Sequence, residues 1–522
     1  MQKRKIAALL LVSLLAATGF AGCSGSKPAT APPAATASAA DTPTAAPSPV
    51  SGPDTSKAVE LVMYLVGDTS PGVPAVYDQV NQKMKADINA TITVNFLGWD
   101  DFNNKYDLLL ASGEALDMMY AANWMNFDAN ARKGAFWEIT PEALAKYAPK
   151  TAAGCPAEVL DSGRIDGKLY ALPADLQDYY TLCYVVRGDL MKKYGITSIS
   201  SLDEFGAFLG AVAGGETGII PYNVKGDNWQ LSAINMNEQN ISAQGTQGMV
   251  FNMSDPAMKG MAFFDQPNAL QYDLKMRDWQ QKGYWSKNAL ANTVDEKESF
   301  LAGTSAACLL NLKDANTVYM QLAASNPDWN VQVFNAYNKN SASVAAYINN
   351  AMAISYNSKN PERALMALDL LKNDQWYNTI THYGIEGTDY TVNADGTLQE
   401  ADGASYPADG PCPWGWNNKA FVREFNNMFG GYYTIMQQYQ ANFKPNPLQN
   451  FSLDATKPTI SSIVPVLTDL QKQYGQPLAL GFMDNTESSF NEYVNKMKAA
   501  GFDTYMAEVQ AQIDAYLAAQ PK

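Results

Sequence analysis

Apolar residues along the chain switch repeatedly between two spacings, and the switches mark out elements. Val59 to Val66 is a near-continuous apolar run, the pattern of a strand buried on both faces, broken by Gly67-Asp68 and Ser70-Pro71-Gly72. Val76, Val80 and Met84 then recur at helical spacing, and Ile92, Val94 and Phe96 alternate as a second strand that ends at Gly98-Trp99-Asp100. Phe102, Tyr106, Leu109 and Leu110 predict a helix closed by Ser112-Gly113, and Asp117 to Tyr120 a third short strand ending at Asn123-Trp124. Strand, helix, strand, helix, strand in this order argues for an α/β lobe with a parallel sheet. Further on the chain is helix-rich, with strand-like pieces at Tyr184–Val186 and Ala345–Ile354. Asn360-Pro361-Glu362-Arg363 reads as a helix start, with Asn as N-cap and Pro in the first turn. Ile460, Ile463, Leu467 and Leu470, and then Tyr493 to Leu517, read as packed helices.

The N-terminus carries a different pattern. Lys3, Arg4 and Lys5 precede a mostly apolar stretch, Ile6 to Leu15, and small residues lead on to Phe20-Ala21-Gly22-Cys23. This is the pattern of an export signal over residues 1–22. Its apolar stretch is too short for a bilayer, which takes about 20 helical residues. Ala-Gly-Cys at its end resembles the lipobox of bacterial lipoproteins, which implies a lipid on the Cys23 thiol and a protein anchored at the outer face of the plasma membrane. Residues 23–57 consist almost wholly of Ala, Pro, Thr, Ser and Gly, which cannot bury enough surface to hold a fold, and read as a disordered tether. As a flexible coil it would span roughly 30–35 Å.

With 522 residues the chain exceeds what one core supports, so two or more lobes are expected. Fifty-two acidic residues against 37 basic ones disfavour nucleic acid as a partner. His382 is the single histidine, so a Ser–His–Asp or Cys–His system has one candidate base, and His-rich zinc sites are excluded. Neither a metal nor another cofactor is expected. The cysteines beyond Cys23 (Cys155, Cys183, Cys308 and Cys412) match no metal spacing, and read either as buried thiols or as disulfides in one of three connectivities.

In open sheets of parallel type, ligands lie beyond the carboxyl ends of the strands. Those ends here are Gly67-Asp68, Trp99-Asp100 and Asn123-Trp124. Indole faces stack on the C–H faces of sugars, while amides and carboxylates meet the hydroxyls. Asp68, Trp99, Asp100, Asn123 and Trp124 are therefore candidates for a saccharide site, the alternative being that each Trp caps the core beneath it. Trp229, Trp414 and Trp416 sit in similar polar or Gly-rich settings, the last two as Trp-Gly-Trp-Asn-Asn. Trp137, Trp279, Trp285, Trp329 and Trp376 lie in helical or connecting patterns and read as packing. Glu386, in Gly-Ile-Glu-Gly, is either a cleft carboxylate or part of a turn whose glycines supply positive φ. Asp175 and Asp178, after Pro173, and Asn311, after Cys308-Leu309-Leu310, complete the set.

Several stretches resemble the family 1 extracellular solute-binding proteins of bacteria. They are Ser112-Gly113-Glu114-Ala115-Leu116-Asp117, Gly134 to Thr140, Asp166-Gly167-Lys168-Leu169-Tyr170-Ala171-Leu172-Pro173, Tyr184 to Tyr194, and Phe300-Leu301-Ala302-Gly303. Ser358 to Leu365, Tyr383-Gly384-Ile385-Glu386-Gly387, Gly481-Phe482 and Gln510 to Leu517 resemble the subgroup with a DUF3502 C-terminal region. That subgroup commonly has Lys-His-Tyr where Thr388-Asp389-Tyr390 stands. The resemblance spans nearly all of residues 59–522. It implies a two-lobed periplasmic-binding-protein-like fold of type II, with parallel-type sheets flanked by helices and the ligand in the cleft between the lobes. Residues 58–174 with about 350–420 would form lobe I, and 175–349 with about 421–522 lobe II. It further implies a monomeric, non-enzymatic binding protein that takes an oligosaccharide or related complex saccharide. Its partners would be ABC permease subunits with a cytoplasmic ATPase. Two other classes fit parts of the sequence: a secreted glycoside hydrolase, which needs only two cleft carboxylates, and a cell-wall adhesion protein, which would use the tether.

Overall fold

A computed structural model describes residues 53–99, 101–227, 229–244, 246–337, 343–408, 410–442 and 446–520. The export signal, Cys23, most of the tether and Asp100 fall outside these. The last residues assigned to the tether lie on the folded body: Arg363, buried, donates to the carbonyls of Asp54 (2.8 Å) and Lys57 (3.3 Å), and Asn89 donates to that of Thr55 (3.0 Å). The body thus begins earlier than composition suggests, because the partner that satisfies these carbonyls lies some 300 residues away in sequence.

The first sheet starts as the hydrophobic pattern predicts. Strand β1 (Val59–Val66) lies between β2 (Ala90–Leu97) and β3 (Met118–Ala121), parallel to both, with helices α1 (Val73–Ile88) and α2 (Phe102–Ser112) as connections. Only one face of β1 is fully buried, by Leu61, Met63 and Leu65; Val62 and Tyr64 are half-buried and Glu60 is exposed. Asp117 ties β1 to β3, its carboxylate accepting from the Val62 N–H at 2.9 Å. Two strands complete the sheet. Ala351–Ile354 lies antiparallel between β3 and Ala171–Pro173.

The chain leaves this lobe after Pro173 and builds a second sheet in the order Gln332–Asn335, Cys183–Val186, Ser305–Leu310, Ile220–Tyr222. Here Cys183–Val186 runs antiparallel to both neighbours. In each sheet the exception to parallel order is the strand that arrives directly from the other lobe, since parallel pairing needs a helical crossover. The crossings themselves pair as a two-stranded ribbon, Tyr179–Tyr180 with Ser343–Val344. The strand expected over Ala345–Ile354 is shorter than its apolar pattern. Tyr347–Asn349 forms a 3₁₀ turn, and the Asn350 carbonyl is taken by the Ala174 N–H at 2.8 Å.

Separate cores underlie the two sheets, one drawing on residues from Leu61 to Trp416 and the other running from Leu182 to Ala336 with Leu480. A third core joins a small antiparallel sheet (Ile241–Ser242, Met249–Asn252, Gly260–Ala262) to C-terminal helices through Phe264, Phe490, Tyr493 and Phe502. The C-terminal helices Thr486–Ala499 and Phe502–Ala519 match the apolar pattern, with Gly501 (φ +95°) between them. The helix Pro361–Asn373 starts as read, but the Asn360 side chain makes no cap hydrogen bond; Ser358 accepts from the Asn360 N–H instead (3.1 Å). All four cysteines of the body are free thiols. Among the described residues no helix is long and apolar enough to cross a membrane, and no His/Cys/Asp/Glu cluster could hold a metal ion.

Candidate ligand site

The carboxyl ends of β1, β2 and β3 carry an aromatic shelf. Gly67 (φ +108°) ends β1, and the Trp99 indole lies across it so closely that a Cβ on Gly67 would stand 3.4 Å from the indole nitrogen. Trp99 stacks with Trp124 (centroids 6.2 Å apart, planes at 30°) and with Trp414 (6.1 Å, 23°). Phe102 meets Trp99 and Trp124 edge-on, and Tyr120 lies against Trp124 and Trp414. Trp124 donates its indole N–H to the Asn349 carbonyl at 3.0 Å, and the Tyr120 hydroxyl reaches Asn350 Oδ1 at 2.6 Å. The shelf is thereby fastened to the chain segment that returns from the second lobe. Trp99 (41%) and Trp124 (40%) keep exposed faces although both are large apolar groups.

Trp414 reaches the shelf from the short 3₁₀ turn Pro413–Trp416. Trp416 does not. It is 1% exposed, its indole N–H bonded to Thr381 Oγ1 at 2.9 Å. The Trp-Gly-Trp turn sends one ring outward and one into the core, so the expectation of a ligand role at Trp416 is withdrawn.

Asn123, Trp124 and Asp128 also border a cavity of about 830 Å³, most of whose other walls come from the second sheet's lobe and the C-terminal region. Trp229, 59% exposed, opens the helix Trp229–Glu238 there, and Asp227 accepts from its backbone N–H (3.4 Å). Asp227 is exposed to the cavity, and desolvation by the cavity wall raises its pKa from the ordinary carboxylate range. The next residue, Gln230, donates to Glu296, a buried acid that also accepts from the Leu309 N–H and whose pKa burial pushes to about 8. Asp128 lines the first-lobe side, its pKa raised by burial against the lowering effect of a hydrogen bond to Ser452. Amide pairs bind the small sheet's loop to the C-terminal region, Asn446 to Gln244 and Gln247 to Gln471, and all four line the cavity.

The remaining candidates sit elsewhere. Asp175 accepts from the Lys419 N–H (2.9 Å), and Asp178 bonds Asn350 Nδ2 (2.7 Å) and the Lys313 ammonium (3.1 Å), so both serve the crossings. Asn311 caps the helix Leu312–Ser325, bonding both the N–H and the carboxylate of Asp314. Glu386 is exposed in a turn with Gly384 (φ +83°) and Gly387 (φ +81°), whose backbone is held by Asp389. None of these four lines the cavity. Asp68 is exposed beside Gly98 at the shelf's edge. His382 is buried, flanked by the Asn378 carbonyl and the Asn417 side chain, and does not border the cavity. Sequence reasoning missed Asp128, Asp227 and the whole C-terminal wall. Asp273 was missed too, although it interrupts the apolar stripe Ala269, Tyr272, Met276, Trp279 of its helix, a visible signal.

Comparison with known proteins places this geometry. The family model of bacterial extracellular solute-binding proteins matches residues 68–377, and that of a domain of unknown function, DUF3502, matches residues 447–518. A carbohydrate ABC transporter substrate-binding protein of Streptococcus pneumoniae serotype 4 is 21% identical over 479 residues, covering 89% of this chain and 92% of that protein. The N-glycan transport solute binding protein (NgtS) from Streptococcus pneumoniae, in complex with Man1GlcNAc, superposes with a TM-score of 0.71 at 18% identity, over 88% of this chain and 100% of the other. An HMO-binding, ABC-transporter-associated solute binding protein from Bifidobacterium longum infantis superposes at 0.63 with 13% identity, over 88% and 99%. The fold is the two-lobed solute-binding fold of type II.

Proposed function

The chain belongs to the bacterial extracellular solute-binding protein family, and we propose that its solute is an oligosaccharide, held between the lobes and delivered to the permease of an ABC importer with a cytoplasmic ATPase. The family places it outside the cytoplasm. The observation that carries the reading is the indole shelf: Trp99, Trp124 and Trp414 gathered at the strand ends, with Trp124 bordering the same cavity as Trp229. Each indole face that covers about 50 Å² of sugar C–H surface contributes ~1 kcal/mol. The cavity, about 830 Å³, lies in the upper part of the range for small-molecule sites, which suits several sugar units rather than one. The structural relatives that bind glycans, the N-glycan and the HMO-binding proteins, support the same class.

The lobe limits, 58–174 with about 350–420 and 175–349 with about 421–522, are supported by the separate cores, except that Ala346 and Ile348 already pack in the first. Ligand contacts from both lobes would favour a closed form, and hinge closure is the usual device of two-lobed binding proteins. The chain acts as a monomer and carries out no chemistry on its ligand. Its anchor is the lipid on Cys23, and Cys23→Ala is expected to move the protein from the membrane pellet to the medium; a variant that stays in the pellet refutes the anchor.

Calorimetry against a panel of glycans, Man1GlcNAc and Man5GlcNAc with di- and hexasaccharides of glucose, galactose and fructose, tests the function. One saturable site with the glycan recovered intact is the expected result. Glycan shortened in proportion to protein and time would establish a hydrolase, and no binding across the panel would end the saccharide reading.

A further inference from the structure

The cavity does not stop at the tryptophans. Its inner end runs between the helix Ala269–Gln281 and the C-terminal helix Thr486–Ala499, where Phe263, Phe490 and Met497 give it apolar walls. Asp273 borders this end. It is 9% exposed, and among the described residues its carboxyl has no hydrogen-bond or ion-pair partner. Burial raises its pKa to about 7. A buried acceptor without a donor costs free energy, so a carboxyl of this kind on a cavity wall is a group awaiting a ligand that brings donors.

The segment packed against the helix Thr486–Ala499 has an irregularity of its own. The helical run from Val464 to Ala479 is interrupted by a π-helical turn, Gln471–Gly475. Gln471 and Gly475 of that turn border the cavity, and a Cβ at Gly475 would stand 2.9 Å from the Tyr493 hydroxyl. Single π turns inside α-helices recur at functional sites, and this one leaves room for a phenol on the cavity wall.

We propose that this inner chamber is a second subsite of the saccharide site, taking the terminal or branching unit of a longer glycan through hydroxyl donors to the Asp273 carboxyl. The proposal rests on the saccharide reading. It assigns the C-terminal region a direct part in ligand selection: chain length is read where that region meets the second lobe, while the first units lie on the indole shelf. A sugar unit fits the chamber's two-sided character, with C–H faces toward Phe263 and Phe490 and hydroxyls toward Asp273.

The test compares short and long glycans, Man1GlcNAc against Man5GlcNAc and the di- against the hexasaccharides, by calorimetry on wild type, Asp273→Leu and Met497→Trp. The first variant removes the acceptor; the second fills the chamber from its apolar side. The long member is expected to bind wild type about 10-fold or more tighter than the short one, the scale of a hydrogen bond to a charged group. In both variants that advantage should disappear while the short glycan binds as before, which also shows that the fold is intact. Persistence of the advantage in the variants, or its absence in wild type, overturns the subsite and leaves the saccharide reading standing. Failure of every glycan to bind wild type overturns both.

Discussion

Replacing Trp124 by alanine removes the one ring that belongs both to the indole shelf and to the cavity wall. Two effects combine. Loss of about 50 Å² of stacked sugar face weakens binding by ~1.2 kcal/mol at about 25 cal/mol per Å². Loss of the N–H bond to the Asn349 carbonyl loosens the shelf by a further 0.5–1.5 kcal/mol or so. The Tyr120 hydroxyl also lies 3.1 Å from that carbonyl, but it shares its single proton with Asn350 Oδ1 at 2.6 Å, so it offsets the loss only in part. Together these predict a rise in Kd of about 20- to 100-fold. Trp124 is 40% exposed, so the cost to folding should stay small, within about 2 kcal/mol. Trp124→Phe separates the two effects, because a ring face remains while the N–H is gone; its Kd should rise by only about 3- to 10-fold. Titration calorimetry with a thermal melt of each variant provides the check. An alanine variant that binds within about twofold of wild type, with an unchanged melt, would refute the shelf as the ligand's wall. A phenylalanine variant as weak as the alanine one would show that the anchor to Asn349 matters and the ring face does not.

Asp273 gives a prediction about stability. Its pKa is raised from 3.8 to about 7, so between those values the unfolded chain releases a proton that the folded one keeps, and stability falls as pH rises through that window. Asp273→Asn should match wild type near pH 4 and exceed it at pH 8 by on the order of 4 kcal/mol at most; urea melts that show no gain at pH 8 would contradict a desolvated acid. Gly67→Ala places a side chain at φ +108° against the Trp99 indole and should cost roughly 1–3 kcal/mol, with a shifted tryptophan emission; an unchanged melt and spectrum would mean that the strand end yields freely. Small-angle scattering should show a smaller radius of gyration with saturating glycan than without, and identical radii would remove closure as the mechanism.

The first lobe was legible because its elements are local. Its first strands and helices, β1, α1, β2 and α2, are each shorter than twenty residues and closed by their own Gly or Asn, so periodicity alone places Trp99 and Trp124 at neighbouring strand ends. Trp414 against Trp416 could not be separated in this way, since a 3₁₀ turn has no periodicity long enough to assign a face. Asn311 and Glu386 misled for a related reason. Amides and carboxylates that cap helices or occupy turns have the same composition as ligand contacts, and only their partners, Asp314 for the first and the Asp389-held turn for the second, tell them apart. The cavity's far wall depends on residues near 240–273 meeting residues near 446–497, a pairing no local pattern announces.

The order of strands in the first sheet governs when that lobe can exist at all. Ala351–Ile354 occupies the slot between β3 and Ala171–Pro173. Until residue 354 has emerged, the strand Ala171–Pro173 has no neighbour to bond, and β3 presents an unpaired edge of buried-type residues. A chain crossing a membrane N-terminus first therefore delivers most of the first lobe's residues long before the piece that closes its sheet. The second lobe's sheet lies wholly within the intervening stretch, Cys183 to Asn335, and is free to assemble in the meantime. Such long-range pairing slows folding and leaves apolar surface open while it waits. The sheet that carries the indole shelf is consequently the later of the two sheets to close, and its open edge is what a folding factor outside the membrane would meet.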